Sequence, residues 1–135
     1  MNSIITATSG CFTLLHAGHT HLFKCMRNAG DQVVVLLNDD AYLRRAKGRV
    51  IVPLEQRMEV LLALRDVDMV IPFSEDTPCE LIRQMEPAIW FKGPEYWNVN
   101  IPEREVVESY GGKVLFATCG PDVHTSDIIR EIKEL

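Results

Sequence analysis

Two histidines three positions apart flank a glycine in the run Gly10-Cys11-Phe12-Thr13-Leu14-Leu15-His16-Ala17-Gly18-His19. Imidazoles donate hydrogen bonds to phosphate oxygens, and a glycine such as Gly18 lets the backbone approach a ligand closely. The run follows a short apolar, β-prone stretch at residues 4–8 and leads into a helical pattern with Leu22, Phe23 and Met26 on one face. A helix start offers outward N–H groups and the positive end of a dipole, both favourable to an anion. The chemistry indicated is the handling of a nucleotide's phosphates. A basic cluster, Arg44, Arg45, Lys47, Arg49 and Arg57, is opposed in that interval only by Glu55. Alone it reads as a solvated surface; beside a phosphate-type motif its members become candidates for anion contact.

These residues need a frame, and the sequence supplies an alternating one. Strands are expected at residues 4–8, 32–38, 68–73, 88–91 and 114–117. Helices are expected at 18–29, from Asp39 or Asp40 through Arg45, from Pro53 onward with Leu54, Met58, Leu61, Leu62 and Leu64 at helical spacing, from Thr77-Pro78 to about Met85, at 102–110, and from about Thr125 to Lys133. Residues 32–38 form a continuous β-branched and aliphatic run, as in a strand buried on both faces. Gly111-Gly112 stops the fifth helix. The reading is an α/β fold: a Rossmann-like three-layer sandwich with a five-stranded, mainly parallel sheet, one domain over residues 1–135. Ligands of such sheets bind beyond the carboxyl ends of the strands, where the winding reverses. The His16/His19 turn follows the first strand and belongs there.

Bulk properties narrow the partners. A net charge of −5 disfavours a general nucleic-acid binder. Apolar runs such as 33–37 are too short to span a bilayer, and the first residues lack a basic leader, so no membrane association is expected. Cys11, Cys25, Cys79 and Cys119 show no paired spacing, which suits reduced thiols in the cytoplasm.

The first run resembles the Gly-x-Phe-x-x-x-His-x-Gly-His segment of the cytidylyltransferase-like nucleotidyltransferases. That resemblance implies transfer of a nucleoside monophosphate from a nucleoside triphosphate to a phosphorylated acceptor, with pyrophosphate released. It implies catalytic roles for His16, His19, Lys47 and Arg57. It also implies nucleotide contacts from Gly10, Cys11, Phe12, Gly18, Lys92, Gly93, Thr125 and Ser126, and acceptor contacts from Thr13, Arg27 and Glu95. Gly120-Pro-Asp-Val-His124-Thr125-Ser126 resembles the family's Ser-Thr-Thr segment, whose hydroxyls hold the outer phosphates, with His124 replacing the first Ser. Thr13 stands where many relatives carry Asp. Lys92-Gly93-Pro94-Glu95-Tyr96 resembles a Lys-Gly-Gly-Asp-Tyr segment. Together with Val52-Pro-Leu-Glu-Gln-Arg57 and Phe73-Ser-Glu-Asp-Thr-Pro78, it is most similar to the adenylyltransferase branch serving ADP-heptose synthesis. The glycerol-3-phosphate cytidylyltransferase branch comes next. Implied with these are Mg2+ carried mainly by the nucleotide phosphates, no protein-held metal, a homodimer, and a free-standing transferase without a fused kinase.

Two other readings stay open on sequence. Cys11, His16, His19, His21 and Cys25 could supply zinc ligands, although His21 is expected to face solvent. A nucleotide sensor that keeps the fold without turnover would also tolerate Thr13 and His124.

Overall fold

The computed structural model describes residues 3–117 and 124–135. Five strands, β1 (Ile5–Gly10), β2 (Gln32–Asn38), β3 (Met69–Phe73), β4 (Ile89–Lys92) and β5 (Lys113–Phe116), are joined by α1 (Ala17–Ala29), α2 (Asp40–Lys47), α3 (Leu54–Leu62), α4 (Cys79–Met85) and α5 (Pro102–Ser109), with α6 (Thr125–Lys133) last. Every strand pair is parallel, and the order is β3-β2-β1-β4-β5. The chain therefore winds outward from β1 to β3, then crosses back to β4 beside β1. The point of reversal lies between β1 and β4.

Alternation along β2 explains the three layers. Val33, Val35 and Leu37 enter one core with Phe23 and Met26 of α1 and Leu61 of α3. Val34 and Leu36 enter the other with Ile82 of α4 and Val106 and Val107 of α5. Successive side chains of a strand point to opposite faces, so a central strand feeds two cores and must be apolar throughout. The sheet is wholly parallel and covered by helices on both sides, the Rossmann-like α/β arrangement expected.

Boundaries move where pairing or capping decides them. β1 continues through Ser9 and Gly10 because both pair with β2, opposite Leu36 and Leu37. α2 starts under Asp39, whose carboxylate accepts from the Tyr42 amide at 2.9 Å, and ends at Gly48, where φ of 85° suits glycine. α3 has no side-chain cap of its own. Instead the Asp40 carboxylate accepts from the Leu54 amide at 3.0 Å, tying the start of α3 to α2.

Candidate active site

Beyond the ends of β1 and β4 lies a cavity of about 210 Å³, lined among others by Gly10, Cys11, Phe12, His16, Gly18, His19, Lys92, Gly93, Glu95, His124 and Thr125. It sits at the reversal of winding, where this fold class binds ligands. A second cavity, of about 400 Å³, is lined by Cys11, Phe12, Thr13, Lys47, Arg49, Thr125 and Ser126. Cys11, Phe12 and Thr125 line both, so the two are neighbours.

His16 is the N-cap of α1: its Nδ1 accepts from the Gly18 amide at 3.1 Å. His19, three residues on, returns the favour by accepting from the His16 amide at 3.3 Å. This is a capping box built from imidazoles in place of the usual hydroxyl and carboxylate. A backbone N–H only donates, so each Nδ1 must be unprotonated, and each neutral ring carries its proton on Nε2. The cap thus selects one tautomer for both rings and leaves two Nε2–H donors. The rings stack, with centroids 3.8 Å apart. Burial lowers the pKa of His19 to about 4, aided by His16, and burial followed by the charge of His124 lowers that of His16. Both imidazoles are therefore neutral donors at neutral pH.

Three amides of the first turn are already engaged: the Gly18 amide by His16 Nδ1, and the amides of His19 and Thr20 by the His16 carbonyl at 3.0 and 3.3 Å. The imidazoles add their two Nε2–H groups to the donors of this helix start.

Phe12 fixes the ring pair from below. It adopts φ of 47°, and its ring meets His19 edge-on at 5.1 Å and Phe23 at 5.5 Å. A left-handed backbone at a bulky residue costs energy that the packing must offset. Gly10 makes room: a Cβ there would come within 2.9 Å of the Phe12 ring. Burial pushes the Cys11 thiol up in pKa, and its S–H donates to Asn38 Oδ1 at 3.7 Å.

Arg57, which the resemblance implies helps to organise the site, is held inside the protein. Its side chain is 0% exposed. The guanidinium donates to the carbonyls of Val52 at 2.8 Å, Cys11 at 2.9 Å and Asn38 at 2.6 Å, and to Asp40 Oδ1 at 2.8 Å. It ties the ends of β1 and β2 to α2 and α3 and faces neither cavity. Arg27 is also placed elsewhere. It lies in the last turn of α1, eleven residues past His16, so roughly 16 Å further along the helix axis. There it bonds Asp68 at 2.6 Å and the Asp31 carbonyl at 2.9 Å. It lines neither cavity.

Other candidates divide between the two cavities. Lys47 ends α2, exposed, and with Arg49 faces Thr13 and Ser126 across the second cavity. Thr125 Oγ1 donates to the Leu14 carbonyl at 3.1 Å, pinning the start of α6 to the loop after β1. Residues 120–123 of the carboxyl-terminal motif, and Cys119, lie outside the described residues. Lys92 ends β4 with its ammonium 4.9 Å from the Tyr96 ring centre. Glu95, on the 3-10 turn Pro94–Tyr96, folds its carboxylate over Gly93.

Three residues to which the sequence assigns no nucleotide or acceptor contact also line the first cavity. His21 lines the first cavity rather than facing solvent, and its Nε2 lies 3.6 Å from Cys25 Sγ. Tyr96 lines it too, as does His124, which carries the N-cap of α6. The i, i+2 step from His19 to His21 carries no helical-face signal that would have placed His21. Among the described residues no group of three or more His, Cys, Asp or Glu side chains is arranged to hold a metal ion. Oxygen donors around the cavities include Glu95, Thr13, Thr125 and Ser126. Such a sparse, hard donor set fits Mg2+ bound chiefly through a ligand's phosphates, not a caged ion.

The sequence model of the cytidylyltransferase-like family matches residues 7–131. Over 132 residues the chain is 44% identical to the bifunctional protein HldE of Nitrosococcus oceani, covering 96% of this chain and 28% of that protein. It is 43% identical over 130 residues to the bifunctional protein HldE of Coxiella burnetii, covering 95% and 27% respectively. The chain thus spans under a third of the length of these relatives. Among solved structures, the lipopolysaccharide core biosynthesis protein from Thermoplasma volcanium superposes with a TM-score of 0.74 at 23% identity, covering 90% of this chain and 100% of that one. Pantoate-beta-alanine ligase from Francisella tularensis superposes at 0.61 and 15% identity, covering 98% and 71%. At these identities the two likenesses speak for the fold.

Proposed function

This chain is a nucleotidyltransferase of the cytidylyltransferase-like family, and we propose that it moves an adenylyl group from ATP to a sugar phosphate such as heptose 1-phosphate, releasing pyrophosphate. The observation that carries this reading is the sharing of one cavity, at the β1/β4 reversal, by two neutral imidazole donors and the start of α6. The similarity to HldE proteins over nearly the whole chain favours ATP and a heptose phosphate over CTP and glycerol 3-phosphate.

In this mechanism an oxygen of the acceptor phosphate attacks the α-phosphorus in line, and the bond from that phosphorus to the bridging oxygen of pyrophosphate breaks. Charge gathers on the equatorial oxygens, and the Nε2–H groups of His16 and His19 donate to them. Their cap holds both donors in place beforehand, so little reorganisation is needed as charge develops. Ser126, Lys47 and Arg49 hold the outer phosphates in the second cavity. Lys92 and Glu95 flank the acceptor or base. Mg2+, when bound, neutralises the leaving pyrophosphate. Arg57 touches none of these atoms; it fixes the loop that carries Cys11 and Phe12. The proposal includes a homodimeric assembly and a cytoplasmic site of action. No helix among the described residues is long and apolar enough to cross a membrane.

The test is pyrophosphate release across each nucleoside triphosphate with a panel of sugar and polyol phosphates. ATP with heptose 1-phosphate is the expected pair. Preference for CTP with glycerol 3-phosphate moves the chain to the other branch. Binding without pyrophosphate over the whole panel identifies a sensor.

A further inference from the structure

Lys92 is half-buried at the wall of the first cavity, yet among the described residues its ammonium forms no ion pair and no side-chain hydrogen bond. Glu95 folds over Gly93 and Glu103 is buried on α5, and neither carboxylate pairs with it. What holds the ammonium is aromatic. It lies over the Tyr96 ring, 4.9 Å from the centre, and 6.0 Å from the centre of the Trp90 ring. Such a cation is attracted by the electron-rich faces of the rings, and the attraction consumes none of its N–H donors. Trp90 is fully buried, and its Nε1 has no hydrogen-bond partner among the described residues. A phenylalanine would fill that apolar space without stranding a donor; the indole carries the cost and presents the ring type that attracts cations best. Tyr96 is set by its 3-10 turn. Its amide donates to the Gly93 carbonyl at 3.1 Å, and the next residue, Trp97, packs edge-on against Phe116 of β5 at 5.5 Å.

We infer that Tyr96 and Trp90 are positioning residues for the proposed transfer: their rings seat the Lys92 ammonium at the cavity wall and leave its N–H groups free for a substrate phosphate. This rests on the nucleotidyl-transfer reading and deepens it. Among the described residues Lys92 is the only Lys or Arg that lines this cavity, and His16 and His19 across it are neutral donors. An ammonium fixed by ring faces meets an incoming phosphate without first giving up a carboxylate. That phosphate belongs to the acceptor or to the nucleotide, two sources that separate binding measurements distinguish.

Calorimetry on the full chain measures binding of heptose 1-phosphate and, separately, of Mg2+ with a non-hydrolysable ATP analogue. The proteins compared are wild type, Tyr96→Phe, Tyr96→Leu, Lys92→Met, and Tyr96→Leu combined with Lys92→Met. Tyr96→Phe keeps the ring and should bind as wild type does. Tyr96→Leu should weaken one of the two ligands by about tenfold, and the ligand affected identifies the phosphate. In the Lys92→Met background the same change should cost nothing further, because Tyr96 acts through the ammonium. Additive losses overturn the inference, as does wild-type affinity of Tyr96→Leu for both ligands. The NMR shifts of the Lys92 ε-protons give a readout independent of binding. They should be moved upfield by the ring in wild type and Tyr96→Phe and return in Tyr96→Leu; unshifted protons in wild type overturn the inference. If Tyr96→Leu does not fold, fluorinated phenylalanines at position 96 keep the shape while drawing charge from the ring face. Affinity should then fall stepwise with fluorine count, and a flat series overturns the inference. Intact coupling of Tyr96 to Lys92, with no pyrophosphate released on any acceptor, defeats the transfer reading while the aromatic seat stands.

Discussion

His16 and His19 brace each other: the His16 amide donates to His19 Nδ1 at 3.3 Å while the two rings stack at 3.8 Å. One pair of side chains therefore caps a helix and presents two oriented Nε2–H donors. Structural and chemical roles are superimposed, and substitution to Ala confounds them.

Cap-preserving variants separate the roles. His16→Asn keeps a favoured N-cap acceptor, and His19→Gln keeps the box, since Gln suits the third helical position. Each should hold stability within a few tenths of a kcal/mol while losing turnover by about 100-fold or more, the usual cost of one transition-state donor. His16→Ala should lose the same activity and about 1 kcal/mol of stability besides. Steady-state kinetics paired with urea unfolding reads both, and near-normal turnover in either cap-preserving variant removes that ring from the chemistry.

The lowered pKa of His19 predicts acid sensitivity. The folded protein holds this ring neutral down to about 4, whereas its ordinary value is 6.5. Between those values the unfolded chain binds a proton that the native state refuses. The contribution is complete above about 6.5 and is lost as pH falls toward about 4. His16 shifts in the same direction. Melting temperature should drop through that window in wild type and less steeply in His19→Gln. Parallel curves would mean that His19 titrates normally.

Arg57→Lys should be destabilising although it conserves charge. One ammonium cannot span the carbonyls of Val52, Cys11 and Asn38 and the Asp40 carboxylate, which lie on separate segments. Arg57→Ala strands the Asp40 carboxylate and three carbonyls and should cost about 3–5 kcal/mol. Denaturant unfolding checks this. A variant of wild-type stability with only the Michaelis constant altered would return Arg57 to the substrate.

Lys47 makes the opposite prediction. It is exposed at the end of α2, beside the second cavity. Lys47→Ala should leave melting unchanged and raise the Michaelis constant for the triphosphate several-fold, most at low salt. An unchanged constant at low salt places it on the ordinary solvated surface.

What the sequence made legible follows from period and punctuation. The aliphatic run of residues 32–38 suits a doubly buried strand, and the position of His16 and His19 just after the first strand places them at the end of β1. Three-dimensional bookkeeping was not legible. Nothing in the text around Arg57 says that its donors are spent on carbonyls from β1 and β2. Arg27 looked available until α1 carried it to the far end from His16. Glu103 reads as an ordinary acidic residue in the first turn of a helix, because burial depends on which face of α5 meets the sheet. Phe12 gives no sequence sign of its left-handed backbone, which accompanies an edge-on contact of its ring with His19 that only the fold brings about.

The most direct test is a crystal structure with Mg2+ and a non-hydrolysable ATP analogue. The α-phosphate should lie within hydrogen-bond reach of Nε2 of both His16 and His19, with the outer phosphates running toward Ser126 and Lys47. A triphosphate bound away from the β1/β4 end, or reaching α6 without touching either imidazole, would contradict that placement.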